Sequence, residues 1–260
     1  MTAFSEAFKF NNTIKELNLG GNQRISALGI TALSEAMKMN RCLVCIELYF
    51  FPINVAGMIA LSEGLKVNNH LEKIQLLHTQ LSSEGLIALS EGIKFNKNLK
   101  HIDLCENQIG SLGMIAFSES LKLNSTLSRI LIYDNQIDDE GMTAFSEALK
   151  YNNTLEKIDI RFNQIRDKGI IAFSKALYLN KRLIGIDFGG NEVGDEGKVS
   201  ISPRVQQNLG IRTAEVTKGN LASAIEAVGS VAYNERDVVV IQARSNGYVE
   251  HLTVRAPLDP

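Results

Sequence analysis

The sequence predicts an α/β solenoid, with parallel strands along an inner curve and helices along an outer one. Three observations carry that prediction. Leucine returns at Leu43, Leu71, Leu99, Leu127, Leu155 and Leu183, and every step is 28 residues. Each unit opens with a short alternating apolar pattern, which is the period of a strand. Each unit closes with apolar and small residues at helical spacing. Repetition at a fixed period in this range marks an array whose units bury their apolar faces against one another.

The elements follow in order from one copy, Leu127 to Asn152, LSRILIYDNQIDDEGMTAFSEALKYN. In Arg129–Tyr133 alternate residues face opposite ways, so Ile130 and Ile132 point inward and Arg129, Leu131 and Tyr133 outward. The Asn after the strand recurs as Asn22, Asn107, Asn135, Asn163 and Asn191. Its amide is suited to satisfy buried backbone groups from one repeat to the next. Phe51 and Thr79 replace it in two units, and Pro52 follows Phe51, so a distortion is expected over residues 49–54. Asp138, Asp139 and Glu140 sit where the positive end of a helix favours acids. Gly141, Ala144, Phe145, Ala148 and Leu149 form the predicted buried stripe. Asn152 is expected to stop the helix in a left-handed conformation. The first unit begins at Ile14, 29 residues before Leu43, because Asn22–Ile25 carries an insertion.

The L-x-x-L-x-L-x-x-N core and the period resemble the leucine-rich repeat in its long ribonuclease-inhibitor form, which NLR immune receptors also carry. The resemblance implies a horseshoe of about seven units over residues 1–197. It also implies a protein partner, of unidentified kind, on the concave face. The residues expected to meet it are Glu47, Tyr49, Lys73, Gln75, His101, Asp103, Arg129, Tyr133, Lys157, Asp159 and Arg161. Cys105 falls in the same set of outward slots.

No enzyme, catalytic residue, metal site or cofactor is expected. His101, Asp103 and Cys105 share one strand face, but at roughly 3.3 Å per residue the backbones of His101 and Cys105 are about 13 Å apart, beyond reach of a dyad. Cys42-x-x-Cys45 has no second pair, whereas a structural zinc needs four ligands. The formal net charge of −2 excludes binding nucleic acid by bulk phosphate neutralisation. No apolar run reaches membrane-spanning length, and a cytoplasmic location is expected.

Composition divides the chain. All 11 Phe, 6 Met and 3 Cys lie at or before residue 188, and three of the 4 Pro lie after residue 200. Residues 1–198 hold 15 Lys and 6 Arg, whereas residues 199–260 hold 1 Lys and 5 Arg. The tail reads as short β segments, at 211–216, 224–233, 238–243 and 248–254, separated by Gly and Asn. Its blocks VSISPRVQQNLGIRTAEV, GSVAYNE and QARSNGYVEHLTVRA resemble the periplasmic adaptor, or membrane fusion, subunit of heavy-metal RND efflux pumps. That resemblance implies an incomplete all-β segment over 198–260. It also implies efflux-pump components as partners, and a periplasmic setting, if the tail is functional. The array opens inside the helix half of a unit and is expected to lack a cap at either end. An artificial join or misassembled gene near residue 198 is the expectation that unites these features.

Overall fold

A computed structural model describes residues 1–194 of this protein. The readings made for the tail, and for the break near residue 198, lie outside the described residues. Helix α1 (Thr2–Phe8) comes first, and strands and helices then alternate: β1 (Glu16–Asn18), α2 (Ala27–Met39), β2 (Cys45–Glu47), α3 (Val55–Val67), β3 (Lys73–Gln75), α4 (Ser83–Phe95), β4 (His101–Asp103), α5 (Gly110–Leu121), β5 (Arg129–Leu131), α6 (Asp139–Leu149), β6 (Lys157–Asp159), α7 (Asp167–Leu179) and β7 (Gly185–Asp187). The seven strands form one parallel sheet in chain order. Each helix packs on the helix of the next unit, as in a solenoid whose repeats touch only neighbours.

Register is strict because the period is. Ile46 pairs with Ile74, Ile74 with Ile102, Ile102 with Ile130 and Ile130 with Ile158. These isoleucines and the leucines that open units 2 to 6 are buried in one continuous core. The helix face differs slightly from expectation. In α6 the buried residues are Gly141, Met142, Phe145, Ser146, Ala148 and Leu149, while Ala144 is half-buried. The stripe is turned toward Met142 because a Ser lies at its centre. Ser146 returns its hydroxyl to the Met142 carbonyl at 2.7 Å, as Ser118 does to Met114 and Ser90 to Leu86. A small residue with its polar atom satisfied inside its own helix lets neighbouring helices approach closely.

Two asparagine ladders hold the turns. In the first, Asn107 donates to Leu76 O at 2.8 Å and Leu104 O at 2.9 Å, and its Oδ1 accepts from the Thr79 and Leu81 amides. Asn163 does the same between units 5 and 6. Asn22, expected to be another rung, is exposed and bonds only within its own turn, to Leu19 O and Gly20 O. The second ladder corrects the reading of Asn152, which is not left-handed. Its Nδ2 donates to Leu121 O and Asn124 O in the preceding unit, and its Oδ1 accepts from the Thr154 and Leu155 amides. Asn40, Asn68, Asn96, Asn124 and Asn180 repeat this bonding, and all are buried.

The expected distortion at residues 49–54 leaves the strand register intact. Phe51 is buried in the core, and Phe50 has φ 59°, matching its counterparts His78, Glu106, Asp134 and Phe162 at 52–54°. The Ile53 amide, deprived of an Asn side chain, bonds the Thr79 carbonyl instead at 3.0 Å. A left-handed backbone is unfavourable for these side chains. Each is held by its amide bonding a carbonyl of the following strand segment, as in Phe50 N to Leu77 O and Phe162 N to Gly189 O.

Helix starts use one repeat position for the cap. Ser26, Asn54, Ser82 and Asp138 each accept from the amide three residues on. Gly110 holds that position in unit 4, so α5 has no side-chain cap. Arg166 holds it in unit 6, and the cap comes from the neighbouring repeat. Asp139 Oδ1 accepts from the Arg166 amide at 2.8 Å and the Gly169 amide at 2.7 Å. Asp139→Ala is therefore expected to lower stability by about 1–2 kcal/mol, the usual worth of a cap, and Asp139→Asn to recover most of it. Urea unfolding followed by circular dichroism measures both.

Candidate binding surface on the strand ladder

Parallel pairing in register converts strand positions into rows that run along the array. The first strand position gives Glu16, Cys45, Lys73, His101, Arg129, Lys157 and Gly185. The third gives Asn18, Glu47, Gln75, Asp103, Leu131, Asp159 and Asp187. A basic row thus lies beside a largely acidic one. Adjacent strands are about 4.8 Å apart, and the two rows are roughly 6.6 Å apart along each strand.

The rows differ in how far they are neutralised inside the molecule. Among the described residues, none of Lys73, Arg129 and Lys157 has a carboxylate within ion-pair distance, whereas Lys38, Lys66 and Lys122 on the helices each pair with a Glu three residues earlier. His101 stands between Lys73 and Arg129. Burial, then the positive charges of Arg129, Lys73 and Lys100, holds its imidazole below its usual pKa. Lys73, Gln75, His101, Asp103, Arg129 and Leu131 border one shallow hollow at the middle of the sheet.

Two aromatic clusters flank this hollow. Toward the N-terminal side, Asn18 Nδ2 donates to Glu47 Oε2 at 2.8 Å and to the Tyr49 hydroxyl at 2.7 Å. The Tyr49 ring lies over Gly20 so closely that a Cβ there would come within 2.1 Å of it. Toward the C-terminal side, Arg161 grips Asp159 through Nε at 2.9 Å and Nη2 at 2.7 Å and reaches Asp187 at 3.3 Å. Its guanidinium also lies 5.6 Å from the centre of the Tyr133 ring. The Tyr133 hydroxyl donates to Glu106 Oε1 at 3.0 Å. Each cluster fixes an aromatic ring in place, which reduces the entropy lost when a partner packs against it.

Burial, and then the hydrogen bond to Glu106, pushes the Tyr133 phenol up to about 12. Its folded pKa lies above its unfolded one, so its stabilising contribution is present below about pH 10 and is lost as pH rises from there toward 12. Spectrophotometric titration near 295 nm is expected to show one late-ionising tyrosine, absent from Tyr133→Phe.

Sequence reasoning missed one feature of this surface. Cys105 occupies an outward slot yet is fully buried, because the turn folds over it and the Asp103 carboxylate bonds its amide. Burial, with Asp103 nearby, pushes its thiol pKa up, so it is an inert thiol rather than a partner for the exposed His101. Among the described residues, no group of three or more His, Cys, Asp or Glu is placed to hold a metal ion, and no helix is long and apolar enough to cross a membrane.

A family model described as leucine-rich repeat matches residues 10–34, 67–90, 95–118, 124–146 and 151–174. Those segments, with the strand-helix alternation, define a leucine-rich-repeat domain of horseshoe type. Among solved structures, the chain is similar to leiomodin-1 actin-binding site 2, at 22% identity and TM-score 0.48, over 62% of this chain and 90% of that one. It is also similar to the tropomodulin C-terminal domain of Caenorhabditis elegans, at 16% identity and TM-score 0.45, over 66% and 90% of the two chains. A 50-residue stretch is 46% identical to the putative membrane fusion protein SilB of Salmonella typhimurium, and 42% identical to the cation efflux system protein CusB of Escherichia coli K12. Each match covers 19% of this chain and only 12% of the relative.

Proposed function

We propose that the exposed face of the strand ladder binds another protein and carries no catalysis. The observation that supports this most directly is the contrast between its two sides. The buried positions are nearly constant from unit to unit, while the outward ones change identity at almost every step. Lys73, Gln75, His101, Asp103, Arg129, Lys157 and Asp159 supply polar and charged contacts beside two ring anchors, Tyr49 and Tyr133. Asn18, itself bonded to Glu47, holds the first ring and Arg161 packs against the second. Fixed aromatic residues beside arginine are the usual carriers of interface energy.

The test compares two triple variants of the full chain in proximity labelling and pull-down. Lys73→Glu, Arg129→Glu and Lys157→Glu together are expected to weaken capture of the partner at least about tenfold through lost charge complementarity. Tyr49→Ala, Tyr133→Ala and Arg161→Ala are expected to do so through lost anchors. Unchanged capture of every partner by both variants would refute the assignment.

The short match to membrane fusion proteins supports a second reading, in which the C-terminal segment, residues 198–260, contributes an efflux-adaptor role or comes from a joined sequence. A chain ending at residue 197 that keeps every captured partner would favour the repeat-based function. Loss of all capture would favour the tail. An uninterrupted natural transcript across residues 190–205 would remove the joined-sequence idea.

A further inference from the structure

The last residue of each helix, or the residue two positions beyond it, is large, apolar and exposed in every unit. The row runs from Phe10 through Met39, Val67, Phe95, Leu123 and Tyr151 to Leu179, and its members are between 50% and 74% exposed. Scattered exposed apolar residues are ordinary, but a contiguous line of them is not. Each stands immediately before the ladder asparagine of its unit, so the buried hydrogen bonds of that ladder fix its position. The row therefore lies on the flank of the array where helices return to strands, away from the strand face.

We propose that this row is a self-association surface, on which a second copy of this chain packs through a two-fold axis. Three observations favour a second copy over another occupant. The first is spacing: the stacking of repeats sets the distance between neighbouring members, and a second copy reproduces that distance at every step. Turning one copy over about the middle of the row sets Phe95 against Phe95, Val67 against Leu123, Met39 against Tyr151 and Phe10 against Leu179. That is the self-complementary pairing an isologous interface requires.

The second is charge. Lys9, Lys38, Lys66, Lys94, Lys122 and Lys150 border the row, and each pairs with a glutamate three residues earlier on its own helix. These pairs leave the helix side of the row internally neutral, so two copies meet along that side without like-charge repulsion. The third is area. At roughly 100 Å² of exposed surface for each large side chain, the row offers about 700 Å² on one copy and about 1,400 Å² in the pair, within the range of specific interfaces.

Sedimentation velocity on the full chain, up to roughly 100 µM, is the test. The wild-type chain is expected to form dimers. Phe95→Glu with Leu123→Glu is expected to raise the dissociation constant at least about tenfold, with an unchanged circular dichroism spectrum, because charge is buried at the centre of the pair. Phe95→Cys is expected to form a disulfide-linked dimer on mild oxidation, while Phe10→Cys alone is not, since only residue 95 meets itself. A wild-type chain that stays monomeric over this range overturns the proposal. So does a dimer that the double Glu variant leaves intact, which places the contact elsewhere on the chain. Neither outcome bears on the strand-face reading, whose variants lie on a different surface.

Discussion

Asn96→Ala is expected to cost about 3–5 kcal/mol of stability, more than loss of a single hydrogen bond, because four backbone groups lose their partner together. The Asn96 amide donates to Leu65 O and Asn68 O, both at 2.8 Å, and its oxygen accepts from the Asn98 amide at 2.9 Å and the Leu99 amide at 2.6 Å. The side chain is fully buried, so water does not replace it freely. Asn96→Asp keeps the size and the two acceptor bonds but cannot donate when ionised, and it buries a charge. It is expected to be no better than alanine at neutral pH. Asn98→Ala, two residues away, removes one 3.3 Å bond from a half-buried side chain and is expected to cost under about 1 kcal/mol. Urea midpoints at constant slope decide the matter, and a loss below about 1 kcal/mol for Asn96→Ala would show that the ladder is not a main source of coupling.

The ladder matters beyond its own unit. In an array where repeats touch only neighbours, stability is a sum of unit terms and interface terms. Asn96 belongs to the interface term, since its donors reach carbonyls 28 and 31 residues earlier. Its loss is expected to lower the cooperativity of unfolding as well as the midpoint, letting the two sides of the break unfold separately.

The repeat, the strand direction and the inward isoleucines were legible in the sequence because they follow from a period and an alternation. The second ladder was less so. Asn152 was visible as a constant residue, but a constant Asn after a helix fits a left-handed stop and a buried cross-repeat bond equally well. Only the position of the preceding unit decides between them. Asp139 shows the same limit: it reads as an acid near a helix start, yet it caps the helix of the next unit. Phe51 and Pro52 were expected to distort residues 49–54, but backbone bonds to the next unit hold the turn where the Asn amide is missing. The apolar row was hidden in a position that one copy of the repeat leaves unspecified, between Lys and Asn. Its members share only size and apolarity, which becomes visible once the helices are stacked. The strand-face residues were placed by alternation alone, and that rule fails at Cys105, where the chain has already left the strand and begun to turn.

Phe145→Ala is expected to destabilise the chain by about 3–5 kcal/mol, the range for deleting a large buried ring. Phe145 is fully buried, as are its counterparts Phe117 and Phe173 on the flanking helices. The same position holds Leu33, Leu61 and Leu89 in the earlier units, and all are fully buried too. The fold therefore accepts either residue where its neighbours match. Phe145→Leu sets a Leu between two Phe-containing units and is expected to cost only about 1–1.5 kcal/mol, since most of the apolar volume stays. Leu89→Phe tests the reverse. It asks a Leu-sized space to hold a ring and is expected to cost about 1–3 kcal/mol by overpacking. If Phe145→Leu proved as damaging as Phe145→Ala, the position would require an aromatic ring specifically. The substitution of Leu for Phe along the array would then have to be matched by changes in the surrounding side chains, unit by unit.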